Sequence, residues 1–75
     1  MSEFAVILVY STSRAIQAER VLTRVPLPAR LIPTPRHLSS DCGSAVRIRN
    51  EDRTASAAAL AAAGVPIDRI ENLDD

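Results

Sequence analysis

Seven consecutive apolar residues, Phe4 to Tyr10, constrain this chain most. The run is shorter than the roughly 18 residues a membrane span needs, is rich in β-branched side chains and carries none of the polar interruptions of a half-exposed edge. It predicts a central strand. Ser11, Thr12 and Ser13 follow with hydroxyls suited to capping a helix. Ala15, Ala18, Val21, Leu22 and Val25 then recur at helical spacing, with Arg14, Gln17, Arg20 and Arg24 on the water face. Pro26 and Pro28 stop that helix.

Ala29 to Ile32 predicts a second strand, which cannot continue paired through Pro33 and Pro35 because proline withholds the ladder donor. Ser44 to Arg49 predicts a third, with Ala45, Arg47 and Arg49 alternating against Val46 and Ile48, so that one face is rimmed by arginines. Asn50 is placed to cap a second helix whose first turn carries Glu51 and Asp52, acids favoured beside the positive helix end. From Ala55 to Ala63 the residues are mostly alanine, with Leu60 the single large anchor. Gly64 suits the position after the helix and Pro66 confirms the exit. Ile67, Ile70 and Leu73 predict a last short strand at an edge.

The predicted fold is α+β: a ferredoxin-like β-α-β-β-α-β plan, a four-stranded antiparallel sheet with two helices on one face. Seventy-five residues predict one domain, 1–75, that buries only somewhat over ~60% of its unfolded surface. Twelve alanines and two aromatic residues make the core thin, and either marginal stability or a partner over one face is expected.

Nine arginines balance nine acids, with no lysine, no basic block and no interleaved aromatics, a balance that argues against nucleic-acid partners. No apolar stretch suits a membrane, and the first ten residues lack a basic n-region and a cleavage site, so the expected location is cytoplasmic. One cysteine cannot form an intramolecular disulfide, which leaves an inert small hydrophobe, a reactive thiol or an intermolecular link.

That cysteine, Cys42, shares the polar segment 36–43 with the only histidine, His37. Gly43 directly after it would permit a positive φ or a close backbone approach, and either would present the thiol at the strand mouth instead of burying it. The first crossover makes strands one and two parallel, so Cys42 should face Ser11 to Arg14, where free helix N–H groups favour an anion. Thiolate, not thiol, is the nucleophilic form of a cysteine. Arg36, His37 and the helix end are candidate sources of thiolate stabilisation, opposed by Asp41 unless it pairs with Arg36 or Arg47. His37 and Cys42 as a nucleophile–base pair lack an orienting carboxylate, and one His, one Cys and one Asp fall short of a closed tetrahedral metal set. No metal and no cofactor is expected.

The segment Leu31 to Arg49, with Pro35-Arg36, Ser39-Ser40-x-Cys42-Gly43 and the following apolar strand, resembles small bacterial domains of a selenium/sulfur carrier protein-like family. The Ala15 to Glu19 helix stretch and the second helix ending at Gly64-Val65 fit the same resemblance. It implies a carrier or relay rather than an enzyme with its own turnover. Cys42 would hold the chalcogen as a persulfide or perselenide, Arg36 would act as charge partner, and Ser39, Ser40, Ser11 and Thr12 as a hydrogen-bonding surround. The implied partners are donor and acceptor proteins, with a homodimer left open. The rival readings are a non-catalytic interaction module in which the cysteine is incidental, and a regulatory domain binding an anion or metabolite at the Cys42 loop. The departure is the absence of the Cys-Pro-x-Pro helix start of the better-known small sulfur carriers.

Overall fold

The computed structural model describes residues 3–38 and 42–73. Its elements run β1 (Phe4–Leu8), α1 (Thr12–Arg24), β2 (Ala29–Pro33), β3 (Ser44–Arg49), a 3₁₀ turn (Asn50–Asp52), α2 (Arg53–Ala62) and β4 (Arg69–Leu73). The strands form one antiparallel sheet in the order β2-β3-β1-β4. This is the expected ferredoxin-like plan, with β1 inside the sheet and β2 and β4 at its edges.

Period-two alternation divides the sheet residues. Ala5, Ile7, Val9, Val46 and Ile48 pack with Ala15, Ala18 and Leu22 of α1 and Leu60 of α2 in one core cluster. Both helices therefore cover the same face. On the opposite face Val6, Leu8 and Ala45 are fully buried beneath Ile32, Leu38 and Leu73. Edge strand β2 is protected by Glu19, whose carboxylate accepts the Leu31 N–H at 2.7 Å, removing an unpaired edge donor.

Four local expectations change. β1 ends at Leu8, not Tyr10: the Leu8 carbonyl accepts the Asp68 N–H at 2.8 Å, and Tyr10 stands 62% exposed. Pro33 extends β2 by one residue, which an edge strand tolerates because the missing donor faces no partner. Asn50 does not cap α2; it opens the 3₁₀ turn, and α2 starts at Arg53 after Asp52. The Asp52 carboxylate is drawn away from the cap position by Arg49, whose Nε donates to it at 2.9 Å and whose pKa that hydrogen bond raises. β4 begins at Arg69, leaving Ile67 in the approach.

The end of α2 follows the glycine rule. Gly64 has φ +73°, Val65 N–H reaches the Leu60 carbonyl at 2.9 Å and Gly64 N–H the Ala61 carbonyl at 3.1 Å, a Schellman closure. Ser56, fully buried on the same helix, has a hydroxyl oxygen with no hydrogen-bond partner. An unsatisfied buried hydroxyl costs about 1–3 kcal/mol. Ser56→Ala should therefore raise stability by about 1 kcal/mol in a denaturant melt; a loss of that size would show the hydroxyl to be satisfied.

Candidate functional site

β1 and β2 run parallel on either side of β3, so the β2–β3 connection returns to the sheet end from which α1 starts. Cys42 sits there, immediately before β3. Its Sγ donates to the Ser44 carbonyl at 3.1 Å, accepts the Ser44 N–H at 3.4 Å, and lies 3.9 Å from Thr12 Oγ1 in the first turn of α1. The expected meeting of the thiol with the α1 N-terminus is therefore present in the fold. Sulfur tolerates these long, weak bonds, and together they fix its rotamer.

The expected exposure of that thiol is overturned. Cys42 is 5% exposed and belongs to the core cluster beneath the helices. Two expectations for Gly43 fail with it: its φ is not positive, and a Cβ built there would meet nothing within 4 Å. The physical reason is Thr34, a residue the sequence reading passed over. Pro33 and Pro35 have no N–H, so Thr34 carries the only amide donor of that tripeptide, and it donates to the Gly43 carbonyl at 3.0 Å. Its hydroxyl donates to the Cys42 carbonyl at 2.8 Å. These two bonds clamp the loop's return and turn the cysteine side chain inward without any special glycine conformation. The readable signal was a hydrogen-bonding residue isolated between two prolines.

Among the other predicted site residues, Ser11 is the N-cap of α1, its hydroxyl accepting the Arg14 N–H at 3.2 Å. That hydroxyl is thus committed to the helix. Arg36 and His37 are exposed. Arg47 stacks over the Phe4 ring at 4.3 Å from its centroid, at some remove along β3. Ser39, Ser40 and Asp41 lie outside the described residues. Among the described residues no three His, Cys, Asp or Glu side chains gather as a metal set. No helix among them is long and apolar enough to cross a membrane.

Chemically, the site holds a single sulfur between a polar backbone turn and an aliphatic core, one hydroxyl from the start of a helix. In this packing the thiol is nearly closed to solvent.

The chain has no match among the curated proteins or the solved structures. A family model described as "Putative Se/S carrier protein-like" matches residues 4–71, which takes in every element from β1 into β4 and the one cysteine. On that match the chain belongs to the Se/S carrier protein-like family.

Proposed function

We propose that the protein carries sulfur or selenium on Cys42 and passes it between a donor and an acceptor protein. The observation that supports this most is the polar ring around an otherwise core-packed sulfur: Ser44 N–H, the Ser44 carbonyl and the Thr12 hydroxyl all lie within sulfur hydrogen-bonding reach. The step is a thiol exchange. The Cys42 thiolate attacks the outer sulfur of a donor persulfide; a sulfur–sulfur bond forms to Sγ, the donor's sulfur–sulfur bond breaks, and the donor cysteine leaves as thiolate. Electrons balance without an added oxidant. The Ser44 N–H and Thr12 hydroxyl are the groups placed to hydrogen-bond the bound chalcogen, with Ser39, Ser40 and Arg36 as further candidates from the loop. In this reading the sulfur is sheltered at rest and reached by local opening of the Cys42 connection, which also protects a persulfide from adventitious thiols.

A second reading is favoured by one observation, the 5% exposure of Cys42: a non-catalytic interaction module in which the cysteine is a core residue. Intact-mass measurement separates the two. After incubation with a cysteine desulfurase and cysteine, the carrier should gain one sulfur atom, and dithiothreitol should remove it. An unchanged mass under conditions that load a known persulfide acceptor favours the interaction module.

A further inference from the structure

The opposite end of the sheet holds a feature the carrier reading does not use. Arg30 on β2 and Arg47 on β3 are directly paired across the strands, on the face away from the helices. Like charges placed opposite each other destabilise a sheet pair. Neither arginine has a carboxylate partner among the described residues; the ion pairs there go to Arg49 and Arg69. A cavity of about 280 Å³ opens at this end of the sheet, lined also by Phe4 and Arg49 and, from the helix-covered side, by Thr23, Ala29 and Ile48.

We propose that this cavity binds a small phosphate-bearing molecule between Arg30 and Arg47. Stacking on Phe4 occupies only the face of the Arg47 guanidinium, so its in-plane N–H donors stay available for an oxyanion. Arg49 adds a third cation at the rim, pre-oriented and largely neutralised by Asp52 at 2.9 Å. Two uncompensated guanidinium groups match the charge of a phosphate monoester, roughly −1.5 to −2. α1 turns its C-terminal, carbonyl end towards this region through Thr23, so the helix dipole gives no assistance and the arginines carry the anion. The cavity lies just below the roughly 300–1,000 Å³ range of ligand pockets, which selects a small ligand. The site is independent of Cys42, which lies at the other end of β3.

The test titrates the full chain with inorganic phosphate against chloride at constant ionic strength, following backbone amide NMR shifts and the melting temperature. Saturable shifts centred on Phe4, Arg30, Arg47 and Arg49 are expected, with a melting temperature that rises with occupancy. The double variant Arg30→Gln, Arg47→Gln should weaken phosphate binding about tenfold or more, whereas Arg14→Gln and Cys42→Ser should leave it unchanged. Arg30→Gln alone relieves the like-charge pair, so without phosphate it should melt no lower than the parent, and its loss of binding is then not a loss of fold. Acetate should bind at least about tenfold more weakly than phosphate if the site prefers the dianion. Shifts that do not saturate or that chloride reproduces, equal affinity for acetate, or a double variant that binds as the parent does would overturn the assignment.

Discussion

Leu60→Ala should remove about 2–5 kcal/mol of stability, the span measured when a buried leucine is cut to alanine. Leu60 is 1% exposed and is the only large apolar side chain on α2, whose other fully buried residue is the unsatisfied Ser56. Its neighbours Ala58, Ala61 and Ala62 are exposed, and their single methyl groups are too short to fill the void. For a domain of this length the whole stability is on the order of 4–11 kcal/mol, from about 0.05–0.15 kcal/mol per residue. A loss near 3 kcal/mol would lower the melting temperature by roughly 12–24 °C. Leu60 also supplies the carbonyl that closes the Schellman turn to Val65, but that is backbone and survives the substitution. A melting temperature within a few degrees of the parent would show that α2 is held by something other than this anchor.

Cys42→Ser should abolish sulfur loading altogether while leaving the fold in place. The chain has one sulfur nucleophile, so no second site can substitute for it. A serine hydroxyl at the same position keeps a donor for the Ser44 carbonyl and an acceptor for the Ser44 N–H, so the buried polar atom is not stranded. The expected destabilisation is about 1 kcal/mol, from a smaller, more polar atom in a packed site. Intact mass after treatment with a desulfurase and cysteine reads the loading, and a thermal melt reads the fold. Undiminished loading in the serine variant would remove Cys42 from the proposed chemistry.

Much of the architecture was legible because its determinants are local. The apolar run from Phe4 required an inner strand, Ala15, Ala18 and Leu22 kept helical spacing to the prolines, and the alternation from Ser44 to Arg49 gave β3 its limits and its arginine face. Gly64 stopped α2 through its own backbone freedom. The misread positions depended on partners distant in sequence or on competition for one side chain. Asp52 was available to cap a helix until Arg49 took its carboxylate, and the Cys42 side chain turned inward because Thr34, eight residues earlier, clamps its carbonyl. A glycine next to a cysteine cannot report which way a loop closes. The meeting of Cys42 with Thr12 was legible from topology alone, since strand direction decides which loops share a sheet end.

That the sulfur is sheltered yet reached by a local movement is the claim on which the carrier reading depends, and alkylation kinetics test it directly. Labelling of Cys42 by iodoacetamide should be compared in the parent and in Leu60→Ala, both under native conditions. If the thiol opens locally, the two rates should agree within a factor of about two, because the sub-global opening does not pass through the unfolded state. If labelling instead requires global unfolding, the loss of 2–5 kcal/mol should speed it by roughly 30- to several-thousand-fold, and that result would contradict the account.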